Sequence, residues 1–326
     1  MEVADNKPTE LPIPNGWFAV AWSKDLIAGE VMRAKYFGEE LVLFRTREGE
    51  VKALNAYCPH LGAHMGEGGR VVGETVRCPF HGWQYDGTGT CVAIPYSKKI
   101  PAKARVRTWD VCERNKMIFV WHHAQQEPPS WDVEVHPEFD DPDWTEPRYF
   151  ELEVPVYVQD MHENACDPVH FYYVHKMAAV PEDTITYDES GRYMLAKSSM
   201  ERETVMGTFN LELERHSWGI GLSAVRMCGI PDAGLLMFSS TSPVDTGNTV
   251  SRWVFTVSKN LVDLAGEEFI ENMSAGVNQD MRIWENKIHR LNPVLCEEDK
   301  FLGEFRRWTR QFYSNPATTN GHGPAA

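Results

Sequence analysis

Cys58-Pro59-His60, followed by a second cysteine–histidine pair at Cys78-Pro79-Phe80-His81, constrains this chain more than any other stretch of it. Two thiolates and two imidazoles in paired C-x-H and C-x-x-H form suit a [2Fe–2S] cluster in which two cysteines hold one iron and two histidines the other. Neutral imidazoles raise the reduction potential of such a cluster above that of an all-cysteine one. A structural zinc site also accepts two cysteines and two histidines, but its pairs usually carry at least two residues between ligands, and only Pro59 separates Cys58 from His60. Gly62, Gly66, Gly68 and Gly69 let the backbone close around a cluster and turn amides toward its sulfurs. His64 lies off the pattern and reads as a loop or surface histidine, since four ligands already complete the set.

Composition narrows the class. A chain of 326 residues predicts two domains, and 42% hydrophobic with 24% charged residues describes an ordinary globular protein. The net charge of −15 argues against a nucleic-acid partner, which would need an excess of Lys and Arg. A local basic patch for an acidic electron carrier stays open. No apolar run reaches the roughly 20 residues of a membrane helix, because GIGLSAVRMCGIPDAGLLMF is broken by Arg226, Pro231 and Asp232. The N-terminal MEVADNKPTELPIP lacks the basic and apolar regions of a signal peptide, and five further cysteines are scattered without disulfide-like spacing. A reducing cytoplasm is the expected setting.

Along the chain, an arm over 1–15 precedes short strand-like runs with Gly/Pro turns from 16 to 123, among them WFAVAW, ELVLFRT, VKALNAY and MIFVWHH. These predict a small barrel or sandwich. The Pro-rich, acidic stretch 124–148 reads as a linker or wrapping loop. From 149 to 313 the strand-like FELEVPVYV, GTFNLELERH, GLLMFSSTSP and TVSRWVFTVS alternate with helix-like stretches around 157–176 and 266–290. That mixture predicts an antiparallel sheet with helices packed on it, an α+β fold. The tail 314–326 is small, polar and expected to be disordered.

A second metal site is suggested by His170 and His175 in HENACDPVHFYYVH. Five residues apart, both imidazoles reach one metal if the helix widens or ends between them. Two histidines and a carboxylate with open positions form the non-haem Fe(II) arrangement. On a helical wheel of GVNQDMRIWENKIHR, Val277, Met281, Ile283, Trp284, Ile288 and Leu291 form an apolar arc that contains Asp280. Asp280 is therefore the expected third ligand. An ion pair with Lys287 is the structural alternative, and Glu285, outside the arc, is the weaker ligand candidate. Asp167 before Pro168 resembles a helix N-cap with proline at the first helical position.

The loops AYCPHLGAHMGEGG and VRCPFHGWQYDGTG resemble the two cluster-binding loops of the Rieske non-haem iron oxygenases, and QDMRIWENK resembles the third-ligand helix of that family. The resemblance runs from GWFAVAW to FRRWTRQFY. It implies a β-rich Rieske [2Fe–2S] domain, then a helix-grip catalytic domain with mononuclear Fe(II), in a head-to-tail homotrimer where each cluster serves the next subunit. On this reading Cys58, His60, Cys78 and His81 hold the cluster, and His170, His175 and Asp280 hold the iron. Asp167 then bridges a neighbour's cluster histidine to an iron ligand, and Asn164 lines the iron site. The implied chemistry uses O2 and electrons to oxidise a C–H bond. No G-x-G-x-x-G loop is present, so a separate NAD(P)H-dependent reductase or ferredoxin is expected to supply the electrons. The motifs look most like the ketosteroid hydroxylase and cholesterol desaturase-like branch, which implies a hydrophobic, steroid-like substrate. The strands GIGLSAVRMCGI and GLLMFSSTSP should then line an apolar cavity with one or two hydrogen-bonding groups at its far end. Two alternatives stay open: hydroxylation or O-demethylation of a smaller aromatic or alkaloid-like compound, and an iron–sulfur electron carrier with a lipid-binding domain.

Overall fold

The computed structural model describes the backbone of residues 11–204 and 207–314; statements about side chains exclude 200–209, 265 and 267–275. All but Ser314 of the expected tail at 314–326, and the first ten residues of the N-terminal arm, lie outside the described residues.

Three antiparallel sheets occupy the N-terminal part. Gly16–Trp22 pairs with Met117–His122, which also pairs with Val111–Arg114, and all the residues of the first and second of these strands are buried. A four-stranded sheet runs Val31–Tyr36, Glu39–Arg45, Val51–Asn55, Thr108–Trp109. The third sheet is built of very short strands, Arg70–Val72, Thr75–Arg77, Gln84–Tyr85 and Cys91–Ala93. Its brevity suits its task, since these strands brace loops and do not themselves form a large core.

The C-terminal part is one seven-stranded antiparallel sheet in the order Arg148–Val154, Thr249–Val257, Ala233–Pro243, Leu222–Ile230, Gly207–Trp218, Tyr193–Thr204, Asp183–Tyr187. Alternation along the strands sends successive residues to opposite faces. One face carries Leu222, Ala224, Leu236, Phe238 and Val254, which pack with Trp17, Ala19 and Phe119 of the N-terminal part. Polar contacts fix this seam: the Ala19 N–H donates to Ser240 Oγ at 2.8 Å, and the Ala19 carbonyl accepts from Ser242 Oγ at 2.7 Å and Arg252 Nη1 at 3.0 Å. Gly221 is needed at the seam, because a Cβ there would lie 2.4 Å from the Phe18 ring and its φ is +125°. Apart from Arg148, which opens the first strand of that sheet, the stretch 124–148 holds no strand and wraps this seam, with Val133 and Phe139 buried in the same cluster and the Trp131 carbonyl accepting from Trp17 Nε1 at 2.7 Å.

The other face carries the helices, and here the structure departs from the sequence reading in four ways. The expected helix around 157–176 is three pieces, Val158–His162, a 3-10 turn Glu163–Cys166, and Pro168–Tyr173. Proline has no N–H and pushes the residue before it out of the helical region, and Asp167 accordingly sits at φ −107°, ψ 98°. The FELEVPVYV strand stops at Val154, and its last residue, Val158, opens the first helical piece. The helix expected to reach 290 is Glu267–Trp284, so periodicity ends before Ile288 and Leu291, which are exposed, as is Ile283. Finally, a helix at Lys300–Thr309 escaped the sequence reading. Phe305 is its fully buried anchor, and Arg306 pairs with Glu163 at 2.7 Å. No helix among the described residues is long and apolar enough to cross a membrane.

His122, His136 and His162 are buried, and burial lowers each imidazole from 6.5 to about 4. A folded value below the unfolded one means that the unfolded chain takes up protons the fold refuses, so stability present at neutral pH is lost as pH falls from about 6.5 to about 4. By linkage each histidine costs about 2 kcal/mol between pH 7 and pH 5. The urea midpoint is expected to fall over that interval. His122→Asn keeps a donor for the Pro14 carbonyl, which His122 Nδ1 reaches at 2.9 Å, without titrating, and should lose measurably less.

Candidate functional site

Two loops of matching design present the first ligand set. In one, the Cys58 N–H donates to the Ala63 carbonyl and the Gly62 N–H to the Cys58 carbonyl, both at 2.9 Å; in the other, the Cys78 N–H donates to Trp83 at 2.8 Å and the Gly82 N–H to Cys78 at 3.1 Å. Gly62 and Gly82 both hold φ +75°, which a side chain rarely tolerates. Both thiols are buried, at 2% and 3% exposure, while His60 and His81 reach the surface with their rings 4.7 Å apart. His60 stacks on Trp83 at 4.5 Å, and the Trp83 indole donates to Tyr96 Oη at 2.7 Å. Tyr85 Oη lies 3.2 Å from Cys58 Sγ, and burial pushes that thiol up. Buried sulfurs with surface imidazoles fit a cluster that exchanges electrons through its histidine edge. His64 is no ligand: Nε2 meets Glu40 at 3.2 Å and Nδ1 accepts from the Gly66 N–H at 3.1 Å, so it is a half-buried structural group and not a surface one.

The second set converges from two elements far apart in sequence. His170, His175 and Asp280 each offer one ligand atom, and these atoms lie within 4.8 Å of one another. The Pro168–Tyr173 helix ends between the two histidines, with Val174 as its C-cap, and this break brings both rings to one point. Each ring is pinned at its Nδ1. His170 Nδ1 faces the Asp167 carbonyl at 2.5 Å, and His175 Nδ1 faces Gln279 Oε1 at 2.9 Å. Both imidazoles are thereby held with Nδ1 as donor and Nε2 free to ligate, and His175 Nε2 lies 3.3 Å from Asp280 Oδ2. Burial lowers His170, which keeps it neutral as a ligand must be, whereas the hydrogen bond to Asp280 raises His175. Asp280 is 6% exposed and does not pair with Lys287; that ammonium meets the buried Asp160 at 3.0 Å, beside His289 at 2.9 Å. Glu285 is the exposed C-cap of the helix.

Asp167 caps its helix through Oδ1, which accepts from the Val169 N–H at 2.9 Å and the His170 N–H at 3.3 Å. Oδ2 takes no part in the cap. Asn164 lines the cavity beside the triad.

That cavity has a volume of about 570 Å³ and runs along the helix-covered face of the sheet. Val225, Met227, Leu235, Met237 and Trp253 form an apolar part of its sheet-side wall, drawn from the two strands expected to line it and one neighbour. Arg215 also lines it, but its guanidinium is committed: Nη2 pairs with the buried Asp183, Nη1 donates to Ser198 Oγ and Nε to the Ala165 carbonyl, both at 2.9 Å. Sequence reasoning missed Arg215, Gln279 and Asp160. Gln279 directly precedes a candidate ligand, which was the one local signal available.

Comparison with known proteins agrees with this geometry. Residues 16–110 match the family model for the Rieske [2Fe-2S] domain, and residues 120–313 match that for the 3-ketosteroid 9alpha-hydroxylase C-terminal domain. The chain belongs to the Rieske oxygenases, with a C-terminal domain of the 3-ketosteroid 9alpha-hydroxylase family. It is an oxidoreductase whose cofactors are a [2Fe–2S] cluster and mononuclear iron. Cholesterol 7-desaturase nvd of Xenopus laevis is 31% identical over 334 residues, covering 94% of this chain and 73% of that protein. The oxygenase component of 3-ketosteroid-9-alpha-monooxygenase from Rhodococcus rhodochrous is 30% identical, covering 91% and 80%. Crystalline dicamba monooxygenase bound to dicamba shares the fold, with a TM-score of 0.75 at 19% identity over 93% of this chain and 98% of that one.

Three outcomes are expected at the metal centres. His170→Ala and Asp280→Ala should each purify with an intact cluster spectrum and little mononuclear iron, read by metal analysis; Cys58→Ser should lose the cluster's rhombic paramagnetic signal. Gln279→Leu should weaken mononuclear iron binding by about tenfold to a hundredfold, the usual effect of freeing a ligand histidine from its orienting partner.

Proposed function

We propose that this chain is the terminal oxygenase of a multi-component system and oxidises a C–H bond of a fused-ring, steroid-like substrate by hydroxylation or desaturation. The observation that carries this reading is the largely apolar cavity that shares its lining with His170, His175 and Asp280. The named activities of the cholesterol desaturase and ketosteroid monooxygenase relatives support the substrate class.

In this reading Cys58, His60, Cys78 and His81 hold the cluster that stores an electron, and His170, His175 and Asp280 hold Fe(II), which supplies O2 activation when bound. Asn164 lines the iron pocket. Asp167 caps its helix with one carboxylate oxygen and uses the other to join a neighbouring subunit's cluster to the iron site, within a head-to-tail homotrimer. Electrons come from a separate NAD(P)H-dependent reductase or ferredoxin. We further infer a reducing, cytoplasmic setting, supported by seven unpaired cysteines, two of them required as cluster thiolates. The division proposed from sequence, with domains at 16–123 and 149–313 joined by 124–148, fits the seam between the sheets.

Asp167→Asn tests the bridging role, because asparagine caps a helix about as well. Both metals should survive and turnover should fall by about a hundredfold; near-normal turnover would reduce Asp167 to a cap. For the substrate, O2 uptake with a surrogate reductase should depend on ketosteroids or sterols and yield oxidised product in proportion. If these all fail and a single-ring or cationic compound is oxidised, the substrate assignment is wrong.

A further inference from the structure

Three serines stand in one line across the sheet. Register pairs Ser217 with Ser223 and Ser223 with Ser239, so all three side chains share one face, and Ser239 is paired in turn with the cavity-lining Trp253. Ser223 and Ser239 line the cavity together with Thr241, two residues further along. Next in the same strands come Arg215, Val225 and Met237, then Leu213, Met227 and Leu235, where the wall becomes almost wholly apolar.

The hydroxyls are not spent on one another. Ser223 Oγ and Ser239 Oγ lie 2.7 Å apart, and that bond uses one of their two protons. Ser223 is only partly buried, which leaves the pair a donor and several lone pairs for the cavity. Ser217 Oγ is buried with no partner. Polar groups in an apolar site carry a cost unless something pairs with them. A charged ligand is disfavoured here, because the guanidinium of Arg215 is already neutralised by Asp183.

We infer that the Ser223–Ser239 pair, with Ser217 buried beside it, is the polar end of the substrate cavity and receives a neutral hydroxyl or carbonyl oxygen of the substrate, setting which carbon faces the metal site. This rests on the proposed function and adds to it the residues that orient the substrate and the group they recognise.

The test measures equilibrium binding to the anaerobic holoenzyme by quenching of tryptophan fluorescence, since Trp253 and Trp284 both line the cavity. The probes are androst-5-en-3β-ol, androst-4-en-3-one and the hydrocarbon androst-5-ene, with 4-tert-butylphenol and tert-butylbenzene as a single-ring pair. Wild type should favour the alcohol and ketone over the hydrocarbon by about tenfold, the worth of a buried hydrogen bond. Ser223→Ala/Ser239→Ala removes both members of the bonded pair, and should keep hydrocarbon affinity while bringing that ratio close to one. An unchanged ratio in the double variant, or no preference in wild type, overturns the serine row and leaves fused-ring binding standing. A phenol preference that the double variant loses, with no steroid bound, supports the row and removes the substrate class. If no probe binds, both readings fall.

Discussion

Two imidazoles five residues apart can meet one carboxylate only if the chain carrying them is not a regular helix, and the whole metal centre depends on that irregularity. Pro168 forces one break, at Asp167; the helix end at Tyr173 supplies the other. A short, twice-broken segment has little stability of its own, since its few backbone hydrogen bonds cannot offset the cost of ordering it. It is held from outside. Asp160 is tied to Lys287 and His289, Glu163 to Arg306, and the Ala165 carbonyl to Arg215. Gln159 accepts from Tyr313 Oη at 2.9 Å and from Thr309 Oγ1 at 3.3 Å. Anchors thus come from the sheet, from the chain after the Asp280 helix, and from the C-terminal helix.

These anchors explain the charge placed in the interior. An isolated buried carboxylate is costly, and a buried pair is weak evidence for stability by itself. Here each pair joins the ligand-bearing segment to a different element, so its consequence is position. Burial alone would raise the Asp160 carboxyl, but the hydrogen bond to His289 and the charge of Lys287 hold it below its usual range. Both partners lie a few positions beyond Trp284, where the helix has ended, so Lys287 turns to Asp160 and not to Asp280, the pairing that sequence offers as the structural alternative.

The parts that sequence exposed were local. Cys58, His60, Cys78 and His81 lie in two short loops whose spacing is itself the signal, and Asp280 stands out because an acid in an apolar arc needs a reason. What sequence hid was made by distance along the chain. Gln279 matters only because His175, 104 positions earlier, turns Nδ1 toward it. Arg215 matters because three separate segments, at Ala165, Asp183 and Ser198, meet at one guanidinium. The helix break is legible locally: Asp167-Pro168 is a capping signature, and a continuous helix around 157–176 is incompatible with it. The Lys300–Thr309 helix, KFLGEFRRWT, spans only ten residues with Gly303 inside it, and its amphipathic pattern is short enough to pass for a loop.

The strand Ala233–Pro243 joins the two halves of the chemistry through nothing more than alternation. Ser239 and Thr241 point to the cavity, while Ser240 and Ser242 point the other way and grip the backbone of Ala19. A slip of one residue would exchange the two sets, leaving hydroxyls against the wrong backbone and apolar groups at the polar end of the cavity. Register is therefore fixed from both sides at once. Paired backbone groups continue the seam at Phe37 and Gly38, whose N–H groups donate to Pro243 at 3.0 Å and Val244 at 2.8 Å. A contact made of short main-chain bonds and buried hydroxyls, with Phe18 packed on Gly221, has no hinge in it. The cluster-bearing half and the cavity wall are thereby joined along one strand register.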